Sequence, residues 1–178
     1  MTVILLVDIS GSSIFGTQYQ LKREIATEIS AVLSFSAINN NDKIGVIFFS
    51  EEIEKFIPPK KGKSHILRII RELISFNSNK KRTNIENAIR YFNNVIKKRS
   101  VCFIISDFMD EGFDHALKIV KTKHDIIALR IHDEREKILP NVGIIKLQDA
   151  ETHETKIIDS SNKKIRNNLK EKYERKEY

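Results

Sequence analysis

The chain has 178 residues and a mass of 20.7 kDa, which is enough for one domain with a sizeable hydrophobic core. Its 40% hydrophobic and 31% charged residues, without any apolar run of about 18 residues, exclude a disordered chain and a membrane-spanning segment. The single cysteine, Cys102, lies in an apolar run and favours a reducing compartment. We therefore expect a cytoplasmic protein, or one at the cytoplasmic face of a membrane if the full-length protein is tethered.

The net charge of +7 and the isoelectric point near 9.4 raise the question of nucleic-acid binding. The basic residues, however, form short and separate clusters, and no aromatic side chains are interleaved with them as stacking platforms. The clusters are Lys60, Lys61 and Lys63; Lys80 to Arg82; Lys97 to Arg99; and the lysine-rich C-terminal segment. This pattern favours solvated loops and helix ends over a nucleic-acid surface.

The first half of the chain begins with a short aliphatic run, Val3 to Val7, that is typical of a buried strand. Apolar residues at helical spacing then predict an amphipathic helix from about Thr17 to Ile38, with the stripe Leu21, Ile25, Ile29 and Val32. Lys43 to Phe49 and Glu52 to Ile57 are predicted strands, and Pro58-Pro59 ends the second. Because only a tight turn separates these two strands, they must pair antiparallel.

The second half alternates helices with strands. The predicted helices cover Ser64 to Phe76, a segment with the stripe Ile85, Ile89, Phe92 and Ile96, and Glu111 to His124. The predicted strands are Val101 to Ser106, Asp125 to Ile131, and a hairpin of Val142 to Leu147 with Thr155 to Ile158. Thr83 and Glu86 have capping-box spacing, and Ser160 or Ser161 could cap a final helix.

This order of elements predicts an α/β fold. We expect a doubly wound, mostly parallel six-stranded sheet with one antiparallel edge strand and helices on both faces, followed by a C-terminal hairpin and helix. No internal repeat or linker divides the chain, so residues 1–178 are predicted to form a single domain. Because the chain starts almost directly inside a strand, we expect it to be a fragment of a longer protein.

Oxygen-bearing side chains follow the first strand and the central strand of this predicted sheet. They are Asp8, Ser10 and Ser12 after the first strand, Thr83 before a helix, and Asp107 after the central strand. Each has a simpler explanation as a turn residue or a helix cap. If the two strands are neighbours, however, the winding direction reverses between them and opens a crevice where ligands bind. The joint pattern predicts a site for a hard cation.

The pattern Asp-x-Ser-x-Ser, followed by a threonine and by an aspartate after a core strand, resembles the metal-ion-dependent adhesion site (MIDAS) of von Willebrand factor type A (vWA) domains. The resemblance covers nearly the whole chain. It is closer still to a bacterial subfamily associated with MoxR-type AAA+ ATPases, through DKIGVIFFSEEIEKFIPPKKGKSHILRII, FIISDFMD and LPNVGIIKLQDAETHE. Members typically have a further N-terminal region that this chain lacks, and they often have glycine where Lys80-Lys81-Arg82 precedes Thr83.

The resemblance implies a non-enzymatic, metal-dependent protein-protein interaction module. It implies hydroxyl ligands from Ser10, Ser12 and Thr83, and direct or water-mediated coordination by Asp8 and Asp107. Mg²⁺ is the implied cation, with Mn²⁺ or Ca²⁺ as alternatives. An Asp or Glu of a partner, a MoxR-type ATPase or its client, would complete the metal shell during maturation of a protein or complex. Ile14, Phe15, Arg82, Phe108 and Met109 lie beside these loops and could form a rim for this partner, while packing of some of them in the core is an equally good explanation.

Two other functions stay open. A Mg²⁺-dependent phosphohydrolase could use Asp8 as phosphoryl acceptor. Haloacid-dehalogenase-like enzymes, however, place a second acid two residues later, where this chain has Ser10. Alternatively, a vWA-like domain that has lost its metal could serve as a scaffold. The chain has no Walker-type phosphate loop, and its histidines show no metal-ligand spacing with Cys or Glu.

Overall fold

The computed structural model describes residues 1–10, 22–76, 82–132, 141–148 and 155–168. The strands are β1 (Thr2–Asp8), β2 (Lys43–Phe49), β3 (Ile53–Lys60), β4 (Val101–Ser106), β5 (Asp125–Arg130), β6 (Ile144–Gln148) and β7 (Thr155–Asp159). The helices are α1 (Lys22–Asn39), α2 (Lys63–Ser75), α3 (Ile85–Val95) and α4 (Asp114–Val120). Residues 163–168 form a further short helix.

β1 lies at the centre of the main sheet, whose strand order is β3-β2-β1-β4-β5. β1 pairs in parallel with both β2 and β4, β4 pairs in parallel with β5, and β3 is antiparallel to β2. The predicted mostly parallel sheet with one antiparallel edge strand is therefore confirmed. The predicted number of six strands is not confirmed, because the described residues contribute five strands to this sheet and β6 pairs with β7 in a separate hairpin.

Alternate residues of β1 face opposite sides of the sheet, as the strand period of two requires. Val3, Leu5 and Val7 belong to a hydrophobic cluster with residues of α1 and α2. Ile4 and Leu6 belong to a second cluster with residues of α3 and α4. Helices thus cover both faces of the main sheet, and all five of these β1 side chains are buried.

The buried face of α1 differs from the predicted one. Val32, which the sequence places in the apolar stripe, is 67% exposed. The fully buried positions are Lys22, Ala26, Ser30, Ser34 and Ala37. The hydroxyls of Ser30 and Ser34 donate hydrogen bonds of 2.7 and 2.6 Å to carbonyl oxygens four residues earlier. Since these hydroxyls are satisfied within the helix, small polar residues can be buried there and take the place of larger apolar ones.

Two other elements have bounds that differ from the prediction. β3 continues through Pro58-Pro59 to Lys60, which is tolerated because β3 is an edge strand and proline there removes no ladder hydrogen bond from the sheet interior. α4 ends at Val120 and is shorter than the predicted helix from Glu111 to His124. None of the helices in the described ranges combines the length and hydropathy that a bilayer span requires.

The predicted C-terminal hairpin is confirmed by the antiparallel pairing of β6 with β7. The helix that follows begins after Asn162, whose side chain accepts a backbone N–H two residues later at 3.0 Å. Neither Ser160 nor Ser161 therefore caps it as predicted. Ser160 is buried and donates a 2.6 Å hydrogen bond to the carbonyl of Gly143, which ties the end of the hairpin to its beginning. The predicted helix start at Thr17 lies outside the described residues.

Candidate metal centre

The carboxyl ends of β1 and β4 lie side by side, because β1 pairs with β4 as well as with β2. The winding direction of the sheet reverses at this point, which is where an open α/β sheet forms a ligand-binding crevice. Asp8 ends β1, Ser10 follows it, and Asp107 follows β4. These residues are buried, with 6%, 0% and 6% of their surface exposed. The fold therefore brings predicted ligands from two strands to one buried location.

The hydroxyl of Thr83 reaches the same location from a distant part of the chain. It donates to the hydroxyl of Ser10 at 2.8 Å and lies 3.5 Å from Oδ2 of Asp8. The predicted capping box of Thr83 and Glu86 does not form, because Asn84 caps α3 and accepts a backbone N–H three residues later at 2.8 Å. The Thr83 hydroxyl is thus directed to the site and not to the helix end.

Hydrogen bonds from two backbone N–H groups hold the segment after Thr83 against the rest of the fold. The N–H of Asn84 donates to the carbonyl of Ser50, which follows β2, at 2.8 Å. The N–H of Ile85 donates to Oδ2 of Asp110, in the loop after β4, at 2.7 Å. Because both bonds join segments that are distant in sequence, the position of Thr83 depends on tertiary contacts.

Both carboxylate oxygens of Asp8 accept hydrogen bonds. Oδ2 accepts from the hydroxyl of Ser106 at 2.6 Å, and Oδ1 accepts from the N–H of Ser10 at 3.0 Å. Burial raises the pKa of Asp8 above its usual value, and the hydrogen bonds from Ser106 and Ser10 oppose this rise only in part. The negative charge of Asp107 adds to the rise. A cation beside Asp8 would stabilise the charged carboxylate, which neutral donors do less well.

The carboxylate of Asp107 is held by a backbone turn and by a buried lysine. Oδ1 accepts the N–H of Met109 at 3.1 Å, and Oδ2 accepts a hydrogen bond from Nζ of Lys22 at 3.2 Å. The guanidinium of Arg130 donates to the main-chain carbonyl of Asp107 at 3.2 Å. Phe108 adopts a left-handed φ of 57°, which is costly for a bulky side chain. Asp107 therefore belongs to this turn and does not cap α4.

A small cavity of about 20 Å³ lies between these groups, which is room for about one water molecule. Its lining consists of Asp8, Lys22, Ala26, Ile105, Ser106, Asp107 and Ile131. Within the described ranges, no three His, Cys, Asp or Glu side chains come together as a metal-binding group. The oxygens at this location are carboxylates and hydroxyls, a donor set that suits a hard cation retaining some of its waters. This donor chemistry fits the cation that the sequence pattern implies.

Four of the five predicted ligands lie at this location. Asp8, Ser10 and Thr83 are linked by hydrogen bonds, and Asp107 lines the same cavity as Asp8. Ser12, the fifth predicted ligand, lies outside the described residues. The assignment of these five residues as metal ligands stays a prediction.

The predicted partner rim is described only in part. Ile14 and Phe15 lie outside the described residues. Arg82 is exposed, and Phe108 and Met109 are half-buried. The ring of Phe108 packs against the hydrophobic cluster of α3 and α4, so it contributes to the core as well as to the surface. A role for these residues in binding a partner stays a prediction.

Sequence reasoning missed two polar side chains at this location, Ser106 and Lys22. The signal for Ser106 is a hydroxyl at the end of an otherwise apolar strand, directly before Asp107. The signal for Lys22 is weaker. Lysine is rarely buried unless it is paired, so the place of Lys22 beside this site is evident only in the tertiary structure.

Several solved structures are similar to this chain in fold. BatB from Bacteroides thetaiotaomicron superposes with a TM-score of 0.65 at 17% identity, covering 96% of this chain and 85% of that one. An aerotolerance-related membrane protein from Bacteroides fragilis gives 0.68 at 19% identity, with 96% and 86% covered. Proximal thread matrix protein 1 from the mussel byssus, with a zinc-occupied MIDAS motif, gives 0.57 at 19% identity, with 74% and 38% covered. The chain therefore has a vWA-like fold.

Relatives by sequence come from mycobacteria. Proteins of Mycobacterium tuberculosis and Mycobacterium bovis that are named uncharacterized are 27% identical to this chain over 151 residues. The match covers 83% of this chain and 48% of each relative, so the chain spans about half the length of these proteins. The family model described as "Protein of unknown function DUF58" matches residues 1–178. The chain therefore belongs to the DUF58 family.

Proposed function

We propose that this chain is a non-enzymatic module that binds a divalent cation, Mg²⁺ first among the candidates, and uses it to bind an acidic residue of a partner protein. The proposed ligands are Asp8, Ser10, Ser12, Thr83 and Asp107. The proposed partner is a MoxR-type AAA+ ATPase or its client, acting in the maturation of a protein or complex.

The contact between Thr83 and Ser10 is the observation that carries this proposal. The two hydroxyls are 2.8 Å apart although 73 positions separate them in sequence. A turn after β1 does not need Thr83, and the cap of α3 is supplied by Asn84. A cation site requires oxygen atoms from separate segments to come together, as these hydroxyls do beside Asp8. Neither the turn after β1 nor the cap of α3 explains why they do so. Zinc at the MIDAS motif of the mussel protein supports the choice of a metal.

The proposed donor set also suits the proposed interaction. Hydroxyl ligands carry no formal charge, so they neutralise less of the cation than carboxylates would. The ion then keeps a net attraction for an outside carboxylate. Mg²⁺ also tends to retain waters, one of which an Asp or Glu of a partner can replace. The module therefore needs no catalytic group of its own.

Metal binding itself is tested by titrating the protein with MgCl₂ and MnCl₂ in a calorimeter. Thr83→Val removes the hydroxyl at nearly constant volume and is expected to lower the affinity about tenfold, as loss of a metal-site contact does. Thr83→Ser, the matched control, keeps the hydroxyl and is expected to stay within about threefold of wild type. Equal affinities for the Val and Ser variants would contradict the assignment of Thr83 as a ligand.

Partner binding is tested with a purified MoxR-type ATPase from the same organism, in the absence of nucleotide. We expect binding in MgCl₂ that is lost in EDTA and in the Asp8→Ala variant. The variant matters because EDTA also removes metal from the ATPase, whereas Asp8→Ala acts on this chain alone. Binding that persists both in EDTA and in the Asp8→Ala variant would reject the metal-dependent mechanism. If the wild-type protein does not bind the ATPase in MgCl₂ or in EDTA, this partner is rejected.

A further inference from the structure

Lys22 is a buried cation at the candidate metal centre. It lies on α1, its side chain is 5% exposed, and its Nζ lies 3.2 Å from Oδ2 of Asp107, whose side chain is also 5% exposed. A buried ammonium group is expensive unless a partner of opposite charge compensates it. The carboxylate of Asp107 provides such a negative charge. Lys22, Asp107 and Asp8 all line the same small cavity.

The carboxylate of Asp107 has both oxygens engaged. Oδ1 accepts the N–H of Met109 within the turn after β4, and Oδ2 accepts from Lys22. A divalent ion that takes Oδ2 of Asp107 as a direct ligand would place a second positive charge beside the ammonium group of Lys22, which lies 3.2 Å from that oxygen. The turn is held further by the hydrogen bond from Arg130 to the Asp107 carbonyl. The lysine side chain is a flexible four-carbon stem, so it is the donor that can leave.

We propose that Lys22 is an internal counter-ion of this site, which neutralises Asp107 when no metal is bound and leaves Asp107 when a divalent cation binds. This inference rests on the proposed metal-binding function. Lys22 is then a determinant of metal affinity, although it is not a ligand. The carboxylates of Asp107 and Asp8 line the same cavity and repel each other. In the metal-free protein the positive charge of Lys22 offsets this repulsion.

Coulombic repulsion sets the expected size of the effect. The ammonium group and a divalent cation would share one small buried cavity, where like charges a few ångströms apart repel strongly. Replacing Lys22 by methionine keeps an unbranched side chain of similar length and removes the charge. We expect Lys22→Met to raise the affinity for Mg²⁺ at least about tenfold.

The test is a calorimetric titration of four proteins with MgCl₂: wild type, Lys22→Met, Lys22→Arg and Lys55→Met. Lys22→Arg keeps the charge and is expected to bind no more tightly than wild type. Lys55 forms a 2.6 Å ion pair with Glu72, so Lys55→Met also breaks an ion pair and is expected to leave the affinity unchanged. Wild-type binding with no gain in Lys22→Met overturns the role of Lys22 alone. Binding by none of the four overturns the proposed metal site and this inference with it.

A second measurement needs no variant. Acetylation of lysine amines in the wild-type protein, followed residue by residue with mass spectrometry, reports whether Lys22 leaves its buried position. We expect acetylation of Lys22 to rise several-fold in saturating MgCl₂, with no change at Lys55. Unchanged acetylation of Lys22 under conditions where calorimetry detects bound metal would show that the lysine stays in place, and would overturn the inference.

Discussion

The two ends of β4 both carry buried polar side chains, but their chemistry is different. At the amino end, the hydroxyl of Ser100 and Nδ1 of His124 are 2.9 Å apart, and the His124 ring lies 4.6 Å from the ring of Phe92 between centroids. Nε2 of His124 is buried and has no hydrogen-bond partner among the described residues. At the carboxyl end, Asp107 and Lys22 form a buried ion pair beside a cavity.

The difference shows which property marks a candidate site in this fold. Burial and hydrogen bonding occur at both ends of the strand, so neither is sufficient. The amino end avoids buried charge, because burial lowers the pKa of His124 and favours its neutral ring. The carboxyl end keeps two buried carboxylates: Asp8 accepts a hydrogen bond from the hydroxyl of Ser106, and Asp107 accepts one from the ammonium group of Lys22. A concentration of buried charge at the strand ends that open onto a crevice is what favours function there.

The largest expected contrast between the two ends is in metal affinity. Asp8→Ala removes a proposed ligand and is expected to lower the affinity for Mg²⁺ by at least about a hundredfold, since losing even a residue that only orients a metal ligand costs about ten- to a hundredfold. His124→Gln alters the amino end and is expected to leave the affinity unchanged. Calorimetry on both variants, after circular dichroism has established that they are folded, measures the contrast. Equal losses in the two variants would mean that general destabilisation is responsible.

The second contrast is in the free energy of unfolding, measured with urea in EDTA. Asp107→Ala removes the carboxylate that forms a buried ion pair with Lys22 and is expected to cost about 3–5 kcal/mol. Arg99→Ala breaks an exposed ion pair with Asp125 at the amino end and is expected to cause no measurable loss.

The double variant Lys22→Met/Asp107→Ala serves as the control for this experiment. It replaces the whole buried pair by apolar groups and is expected to recover much of the stability lost in Asp107→Ala. If the double variant is as unstable as Asp107→Ala, the loss comes from the turn after β4 and not from the buried charge.

The smallest expected contrast is in the pH dependence of stability. The pKa of His124 is lowered in the folded protein, mainly by burial and then by the charge of Lys123, so the unfolded chain binds a proton more readily. The stability that the neutral ring of His124 contributes is therefore fully present above the unfolded pKa of about 6.5. It is lost as the pH falls below that value and through the lower pKa of the folded protein. His124→Gln is expected to lose less stability than wild type over this interval. Urea unfolding of both proteins at a series of pH values checks this, and parallel curves would contradict it.

Local patterns were sufficient to predict most of the fold. Aliphatic runs such as Val101 to Ser106 predicted the strands, and the stripe of α3, from Ile85 to Phe92, is buried as predicted. The tight turn between β2 and β3 was sufficient to predict their antiparallel pairing. The α1 stripe was wrong at Val32, because helical spacing alone does not indicate which side of a helix will meet a sheet.

The sequence by itself determined the candidate ligands, since residue types and strand ends are local properties of the chain. Only the tertiary structure decided that Thr83 bonds to Ser10 instead of capping α3, because that choice depends on contacts with Ser50 and Asp110. Only the tertiary structure placed Lys22 against Asp107, across 85 positions of sequence. A pairing of this kind follows from how α1 packs on the sheet, and no local pattern encodes it.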